Sequence, residues 1–384
     1  MYRMEFETWS LASWDLASWN FASWDLDFLP IVLAPMGDAV KGSDWELSRI
    51  GLNSITGRSH MRAALCKGLD GIQGLGIFET PDPVAGPGQV LVRVKAVGLN
   101  FADILMTQGK YQSKPELPFS PGAEIAGLVE SVGPGVSEFQ SGQRVMAYVG
   151  WGGAAERLAV DASALVAIPD AVSDSVASGL SVTFGTALHG LRDRGELQRG
   201  ETIVVTGAAG GAGQAAIEIA KSMGARVIAV ASSPEKLATA KSSGADEGIL
   251  FPGQDLKDAV RSLTGGKGAD IVYDCVGGAA AEPLIRSLAW KGRFLIVGFA
   301  SGEIPKLPLN LLLVKGASAV GVYWGDSVRR DPAAHRAGMQ QLLGWVAQGL
   351  LKPRIHATYP LERIADAMSV IERREAQGKV VLAL

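Results

Sequence analysis

The most informative segment of the sequence is Thr202-Ile203-Val204-Val205-Thr206-Gly207-Ala208-Ala209-Gly210-Gly211-Ala212-Gly213. It opens with a β-branched apolar run typical of a buried strand and continues as a glycine turn. Residues 214–223 then carry apolar side chains at helical spacing, and residues 226–230 resume a strand. The sequence therefore predicts a βαβ unit in which the turn and the helix N-terminus receive the pyrophosphate of a dinucleotide.

The glycine turn is an incomplete version of the usual motif, because Ala208 replaces its first glycine. A turn rich in glycine and alanine could simply permit close packing of the helix on the strand. The strand, helix and second strand follow in register, and this context favours nucleotide binding. We therefore predict cofactor contacts from the remaining turn residues, Ala209, Gly210, Gly211, Ala212 and Gly213.

The end of the second strand indicates which dinucleotide is bound. An NAD site usually places an acid about 20 residues after the turn, on the ribose hydroxyl, but residues 225–234 contain none. Ser232, Ser233 and Lys236 stand there instead, and hydroxyls with a cation suit a 2′-phosphate, which predicts NADPH. Ser233 is expected to cap the next helix, with Pro234 at its first position. The alternative for Lys236 is a solvated helix lysine.

Composition limits the class of protein. The chain has 384 residues, enough for two domains, with 47% hydrophobic and 20% charged residues. A net charge of −3 without a basic run argues against nucleic acid and anionic membranes as partners. No segment has the run of about 18 apolar residues that a membrane span needs. The two cysteines, Cys66 and Cys275, are interpreted as buried thiols of a reducing compartment, which predicts a cytoplasmic protein.

The beginning of the chain follows a different pattern. Tryptophan recurs with a period of five at Trp9, Trp14, Trp19 and Trp24, which matches neither the helix nor the strand period. Residues 1–60 are therefore interpreted as a low-complexity extension produced by a start codon assigned too far upstream. The alternative is an aromatic tail that binds a partner.

The remainder of the chain changes character along its length. From residue 61 to about 180, short strand-like runs alternate with Gly and Pro, a pattern typical of β structure. From about residue 181 onward, strands such as 269–276 and 293–299 alternate with helical stretches. This alternation predicts an α/β architecture with a doubly wound parallel sheet.

These residues resemble the medium-chain dehydrogenase/reductase superfamily and, within it, the zinc-independent NADPH:quinone oxidoreductases. The resemblance runs from Met61 to Leu384 and includes the glycine turn. The other motifs that carry it are residues 98–103 (GLNFAD), 109–111 (GKY), 121–127 (PGAEIAG), 142–145 (GQRV) and 377–381 (QGKVV).

The resemblance implies a domain organisation. A GroES-like β-rich catalytic domain would span residues 61–180, and a Rossmann NADPH-binding domain would span residues 181–320. Residues 321–384 would return to the catalytic domain. The cofactor would lie in the cleft between the two domains, which is also where parallel strands place ligands on physical grounds.

The positions of the metal ligands in zinc-dependent relatives carry other residues here. The segment that would supply a Cys contains Asn100, and the Gly-His-Glu segment reads Gly122-Ala123-Glu124. The four histidines are scattered, and two cysteines cannot form a Cys₄ site. We therefore expect no metal, and we expect Glu124 to be a structural acceptor or a salt-bridge partner.

The resemblance implies four catalytic residues, Asn100, Asp103, Tyr111 and Thr183. Asn100 and Tyr111 could donate to a carbonyl oxygen, and Asp103 could hold a loop or the ribose hydroxyls. Alternatively, Asn100 caps a helix that starts near Phe101, and Tyr111 only packs.

Two further cofactor contacts are implied by the same resemblance. Gly277 would let the backbone approach the nicotinamide side, although it could be a plain turn glycine. Arg374 would reach the 2′-phosphate, although surface arginines are common near the end of a helix.

The predicted activity follows from the missing metal. A conjugated substrate spreads its developing charge and needs only hydrogen-bond donors, so hydride transfer from NADPH to a quinone or an α,β-unsaturated carbonyl is favoured. Two alternatives remain open: an enoyl-CoA-type reductase, which would need a basic patch for the CoA phosphates, and a nucleotide-binding protein with little turnover. The apolar run 319–324 beside an edge strand predicts a homodimer.

Overall fold

A computed structural model describes residues 59–384 of the chain. The tryptophan repeat, and with it the interpretation of the N-terminal extension, lies outside the described residues. Most strands of the described part belong to two sheets, one of seven strands and one of six. A separate antiparallel pair is formed by β1 (His60–Cys66) and β2 (Leu75–Pro81).

The seven-stranded sheet contains residues from both ends of the described chain. Its order is β14-β15-β3-β4-β5-β7, with β6 paired to β3. All its pairs are antiparallel except β14 with β15. Its strands are β3 (Gln89–Leu99), β4 (Glu124–Val132), β5 (Arg144–Tyr148), β6 (Arg157–Asp161), β7 (Leu165–Ala167), β14 (Ile355–Pro360) and β15 (Lys379–Ala383).

The six-stranded sheet is parallel throughout, in the order β10-β9-β8-β11-β12-β13. The strand order reverses between β8 and β11, which confirms the doubly wound Rossmann sheet. Its strands are β8 (Thr202–Thr206), β9 (Arg226–Ala231), β10 (Glu247–Leu250), β11 (Ala269–Asp274), β12 (Leu288–Ile296) and β13 (Ser318–Gly321).

Helices connect and flank both sheets. They are α1 (Phe101–Thr107), α2 (Asp174–Ala177), α3 (Ser181–Leu188), α4 (Gly211–Ser222), α5 (Pro234–Ser242), α6 (Leu256–Leu263), α7 (Ala281–Arg286), α8 (Asn310–Leu313), α9 (Trp324–Arg330), α10 (Pro332–Ala347) and α11 (Ile364–Glu372). Helix α3 continues into a π-helical turn, His189–Arg194. None of the helices described is long and apolar enough to cross a bilayer.

The βαβ unit predicted from the sequence is present as β8, α4 and β9. Ile203, Val204 and Val205 of β8 are fully buried, and each such side chain contributes about 1.5–3 kcal/mol through removal from water. At the next helix, the Ser233 hydroxyl accepts from the N–H of Lys236, and Pro234 occupies the first turn. The predicted helix cap is thus confirmed.

The β11 strand ends earlier than the sequence pattern predicted. It stops at Asp274 rather than Val276. The Asp274 carboxylate accepts from the N–H groups of Val276 and Gly277 and from the Thr206 hydroxyl. These side-chain hydrogen bonds replace the backbone hydrogen bonds that would continue the strand, and the chain leaves the sheet here.

The C-terminal strand joins the seven-stranded sheet, whose other strands except β14 come from the first half of the described chain. Val380 of β15 lies opposite Leu99 of β3 in an antiparallel pair. The pairing brings Lys379 beside the start of α1, although 279 residues separate it from Asn100. The exact domain boundaries at residues 180 and 320 stay a prediction.

Candidate functional site

The glycine turn allows α4 to start directly after β8. Gly207 has a φ of +59°, in the left-handed region that favours glycine. A Cβ on Gly213 would lie 2.3 Å from the Gly207 carbonyl oxygen, so no side chain fits there. Gly210 is the N-cap and Gly211 the first residue of α4. The helix N-terminus thus presents backbone N–H groups without side-chain bulk, and these residues fit a pyrophosphate.

Three of the predicted phosphate-binding residues are brought together at the end of β9. The Lys236 ammonium donates to the Ser232 hydroxyl at 3.2 Å and to the Arg374 carbonyl oxygen at 3.1 Å. The Arg374 guanidinium donates to the carbonyl oxygen of Ser301 at 3.0 Å. The Lys236 ammonium and the Ser232 hydroxyl therefore lie next to the strand end where the ribose of a dinucleotide is expected, and the Arg374 backbone lies beside them.

Arg374 is held in an uncommon backbone conformation, with a φ of +59°. A non-glycine residue in this region costs about 1 kcal/mol or more and persists when its surroundings impose it. The next residues are also tied to α5, because the Thr239 hydroxyl donates to the Gln377 side chain at 2.6 Å. The C-terminal segment therefore lies against the cofactor-binding half of the molecule.

Gly277 occupies a tight turn at the carboxyl end of β11. Its φ is +67°, and a Cβ would lie 2.9 Å from the Phe299 ring and 3.0 Å from the Glu303 carbonyl oxygen. The neighbouring loop thus already requires glycine here. The contact of Gly277 with the cofactor stays a prediction; its position is at the carboxyl end of a parallel strand, where open α/β sheets generally bind ligands.

A buried ion pair lies where β15 meets β3 and β4. The Lys379 ammonium is 2.6 Å from Glu124 Oε1, and the relative exposures of the two side chains are 4% and 0%. The ammonium also donates to the Asn100 side-chain oxygen at 2.8 Å and to the Leu99 carbonyl oxygen at 3.0 Å. All three ammonium protons are engaged, which is what a charge at this depth requires.

Glu124 connects this pair to the cofactor-binding side. Its Oε2 accepts from the N–H of Val182 in the first turn of α3, at 2.9 Å. The Lys379 side chain packs toward the glycine turn, since its Cδ lies 3.4 Å from where a Cβ on Gly211 would stand. Glu124 is thus the structural acceptor and salt-bridge partner that the sequence suggested.

Asn100 is committed to the same network. Its amide nitrogen donates to Glu124 at 2.9 Å and to the Gly98 carbonyl oxygen at 3.3 Å, while its side-chain oxygen accepts from Lys379. Donation to a substrate would therefore replace one of these bonds. Asn100 is also the N-cap residue of α1. This position agrees with the alternative prediction that Asn100 caps the helix starting near Phe101.

Asp103 holds the chain at the edge of the site. Its carboxylate accepts from the N–H groups of Asn100 at 2.7 Å and Gly122 at 3.1 Å. The side chain is fully buried, and burial raises the pKa of this carboxyl to about 6 although both N–H groups favour its charge. Asp103 thus holds a loop, one of its two predicted roles.

Thr183 and Tyr111 border the same region. The Thr183 methyl group lies 3.3 Å from the position of a Cβ on Gly211, and its hydroxyl donates to the Gly179 carbonyl oxygen. Tyr111 lies in the loop after α1, and burial, followed by the nearby Tyr323 and Asp103, raises the pKa of its phenol. Their catalytic roles stay predictions.

Two residues of this region were not identified from the sequence. Lys379 is part of the QGKVV motif, but no role was predicted for it from the sequence. Its partner Glu124 lies 255 residues away along the chain, and nothing in the local sequence indicates this pairing. Tyr148 follows the GQRV motif and pairs with Glu124 across β4 and β5. Strand alternation places it on the Glu124 face once the register is known.

The segments that the resemblance aligns with the zinc ligands contain Asn100 and Ala123. In the part of the chain that the structure describes, no three His, Cys, Asp or Glu side chains are grouped as a metal site. Both cysteines are free thiols. The absence of a bound metal stays a prediction.

Comparison with known proteins gives a consistent family. The model described as alcohol dehydrogenase GroES-like domain matches residues 86–170, and the model described as zinc-binding dehydrogenase matches residues 211–345. The chain is 42% identical over 333 residues to the quinone oxidoreductase-like protein 2 homolog of Nematostella vectensis, covering 85% of this chain and 90% of that protein.

Two further matches bear on the site. The quinone oxidoreductase of Pseudomonas aeruginosa is 35% identical over 298 residues, covering 77% of this chain and 91% of that protein. A mycobacterial protein whose structure was solved in complex with NADPH is 30% identical, with a TM-score of 0.79, over 84% of this chain and 100% of that one. These comparisons support a nicotinamide dinucleotide as the cofactor.

Proposed function

Because the chain belongs to the medium-chain dehydrogenase/reductase superfamily, and within it to the quinone oxidoreductase family, we propose that it is an NADPH-dependent reductase of quinones or α,β-unsaturated carbonyl compounds. Its membership makes it an oxidoreductase with a nicotinamide dinucleotide site. The choice of NADPH and of a conjugated acceptor is our proposal.

The observation that carries the choice of cofactor is the cluster of Ser232, Lys236 and Arg374 at the end of β9. A 2′-phosphate there would accept from the Lys236 ammonium, which is now 3.2 Å from the Ser232 hydroxyl. The Arg374 guanidinium can offer a planar pair of donors to phosphate oxygens. Without a carboxylate at this strand end, NADH loses its usual ribose acceptor while NADPH gains two cations.

The residues of the site have different roles in the proposed reaction. Bound NADPH supplies a hydride when an acceptor lies against its nicotinamide. The first turn of α4 binds the pyrophosphate, and Thr183 with the Lys379 side chain flanks that turn. The Lys379–Glu124 pair anchors the C-terminal strand behind it. These residues orient the cofactor and hold its surroundings in place, which is the contribution that positioning makes to rate.

A conjugated acceptor suits the charges of this region. Its reduction places a negative charge on the carbonyl oxygen, and conjugation spreads this charge over neighbouring atoms. Neutral hydrogen-bond donors can stabilise such a delocalised charge. The phenols of Tyr111 and Tyr148 are such donors, since burial raises both pKa values. A simple alkoxide would need stronger stabilisation, of the kind a metal ion provides.

The enoyl-CoA-type reductase and the nucleotide-binding protein with little turnover remain the alternatives. The test is oxidation of NADPH and of NADH by the full-length chain with 1,4-benzoquinone, a short enone and crotonyl-CoA as acceptors. Turnover with the quinone or the enone and a preference for NADPH support the proposal. Turnover with crotonyl-CoA alone supports the first alternative, and NADPH binding without turnover supports the second.

We also propose that two copies pair through β13. This strand is the last of its sheet, so its outer edge has unpaired backbone groups. Exposed apolar side chains lie on the helix before it and on the neighbouring strand β12, including Leu313 at 79% and Trp290 at 70% relative exposure. A second copy related by a two-fold axis would bring the same strand and the same patch together.

Sedimentation velocity tests this arrangement. A dimer that Leu313→Glu converts to monomer supports pairing at β13, whereas a monomeric wild-type chain contradicts it. The cytoplasmic location that the cysteine usage favours stays a prediction.

A further inference from the structure

Tyr148 stands on the same face of the sheet as the buried ion pair. It is the last residue of β5, and its Cα is the partner of the Glu124 Cα in the β4–β5 register. Side chains of directly opposed residues in antiparallel strands lie on the same side of the sheet. The phenol therefore extends toward α3 and the cofactor-binding half, as the Glu124 carboxylate does.

The Tyr148 ring is held by aromatic packing. Its centroid is 4.7 Å from that of Trp324, with an interplanar angle of 63°. Trp324 is itself buried and packs on α3 so closely that a Cβ on Gly185 would lie 2.8 Å from the indole. An edge-to-face pair in this setting fixes the direction of the phenol.

The Tyr148 hydroxyl is available for a ligand. Within residues 59–384 no hydrogen-bond partner is found for it. It is also not one of the fully buried side-chain atoms that lack a partner, which belong to Ser181, Glu247, Tyr273 and His335. It lies 3.2 Å from where a Cβ on Gly325 would stand, so the small residue at this position leaves room for it. Burial raises the pKa of the phenol, which keeps it a neutral donor.

The position of the phenol relative to the dinucleotide follows from the sheet. The ligand crosses the carboxyl edge where the strand order reverses, between β8 and β11. The phosphate-binding cluster lies on the β9 side, so the nicotinamide half belongs on the side of β11, β12 and β13. Tyr323 and Trp324 follow directly after β13, and Tyr148 packs on the second of them.

We propose that Tyr148 donates the hydrogen bond to the carbonyl oxygen of the acceptor during reduction. This inference rests on the proposed function and identifies the oxyanion donor of its site. Asn100 has its amide committed to Glu124, Gly98 and Lys379. Tyr111 lies in a loop, whereas Tyr148 is fixed by a strand and by Trp324, and a preorganised donor is the more effective one.

Reduction of an enone consists of one hydride transfer and one protonation. The β-carbon accepts a hydride, with its two electrons, from NADPH, which leaves as NADP⁺. The π electrons of the enone move onto the carbonyl oxygen, and the Tyr148 hydroxyl donates to that enolate oxygen while keeping its proton. A proton from water then adds to the α-carbon and completes the saturated ketone.

The kinetic test compares Tyr148→Phe with Tyr359→Phe, a matched control on β14 whose ring packs under Arg363. The acceptors are 4-phenyl-3-buten-2-one and 1,4-benzoquinone. Loss of one oxyanion donor lowers kcat by about 100-fold or more, and we expect that loss with the enone in Tyr148→Phe. The quinone should lose only about tenfold because its reduced oxygen is less basic, and KM for NADPH should not change. Equal losses with both acceptors would overturn the proposal.

A binding measurement separates this inference from the proposed function. Calorimetric titration of the protein with NADP⁺ bound uses 4-phenyl-2-butanone, a ketone that cannot be reduced by this step. Tyr148→Phe should weaken its affinity about fivefold, the usual net value of one neutral hydrogen bond, and Gly325→Ala, which crowds the hydroxyl, should weaken it in the same direction. An unchanged affinity in Tyr148→Phe overturns the role of Tyr148, even if the wild-type chain reduces none of the acceptors.

Discussion

The Lys379 ammonium lies 2.6 Å from Glu124 Oε1 although 255 residues separate the two along the chain, and both side chains are buried. This contact ties the C-terminal strand to β4, and through the Val182 N–H it reaches the first turn of α3. Removing two charges from water is expensive, so the pair depends on the further hydrogen bonds that Asn100, the Leu99 carbonyl oxygen and the Val182 N–H supply. The pair thus connects the end of the chain to the elements that border the glycine turn.

Breaking this pair should destabilise the protein strongly. Lys379→Met leaves the Glu124 carboxylate buried without its cation, and the free energy of unfolding should fall by about 3–5 kcal/mol. Urea unfolding of Lys379→Met, Glu124→Gln and the double variant measures the loss and the coupling. We expect the double variant to lose less than the sum of the two single variants. Additive losses would show that the pair is not coupled in solution.

The phosphate-binding cluster predicts cofactor selectivity. Lys236→Ala removes one cation from the expected site of the 2′-phosphate, and Kd for NADPH should rise about tenfold, as expected for a charged hydrogen bond. Kd for NADH should stay the same. Lys241→Ala, on the exposed side of the same helix, is the matched control. Titration of cofactor fluorescence measures the six constants of the wild type and the two variants, and equal weakening of NADH and NADPH in Lys236→Ala would contradict the assignment.

Glycine at position 213 should contribute to stability and be required for cofactor binding. A Cβ there meets the Gly207 carbonyl oxygen at 2.3 Å, so Gly213→Ala should lower the free energy of unfolding by about 1–3 kcal/mol through forced backbone shifts. NADPH binding should be lost with it. Gly344→Ala in α10, where no atom lies near the added Cβ, should be neutral or slightly stabilising. Thermal unfolding with and without NADPH reads out both effects.

Glu218 of α4 predicts a dependence of stability on pH. Its burial raises the pKa from 4.5 to about 7, while the N–H of Lys352 donates to it at 2.6 Å. Because the pKa is higher in the folded state, the favourable contribution of the protonated group is complete below pH 4.5 and is lost as the pH rises through about 7.

Glu218→Gln keeps an acceptor for Lys352 and removes the charge. It should therefore raise the free energy of unfolding by about 2–3 kcal/mol at about pH 8 and by little at about pH 4.5, as a pKa shift of this size implies. Urea unfolding at both values measures the difference. A gain that is the same at both would show that the ionisation of Glu218 is not responsible.

The local parts of the molecule could be predicted from the sequence, and the long-range parts could not. The strand, turn and helix from Thr202 onward follow from periodicity and glycine spacing, and the Ser233 cap follows from its neighbours. The end of β11 at Asp274 was missed because its side chain competes with the ladder. Periodicity contains no information on such local hydrogen bonds.

The same limit applies to the site. The turn and the Ser232–Lys236 segment are short stretches whose chemistry can be read directly. The engagement of Asn100 by Glu124 and Lys379, and the place of Tyr148 beside Trp324, depend on strand register and on the return of β15. These are consequences of packing between distant segments, for which a single sequence offers no local signal.

NADPH-dependent hydride transfer to a conjugated carbonyl compound can be followed with an isotope label. The most direct measurement follows the label from NADPH that carries deuterium at both C4 positions into 4-phenyl-3-buten-2-one, with mass spectrometry of the product formed by the protein. We expect 4-phenyl-2-butanone with one deuterium at the β-carbon, formed faster with NADPH than with NADH. A product without deuterium, or equal rates with the two cofactors, would contradict the account.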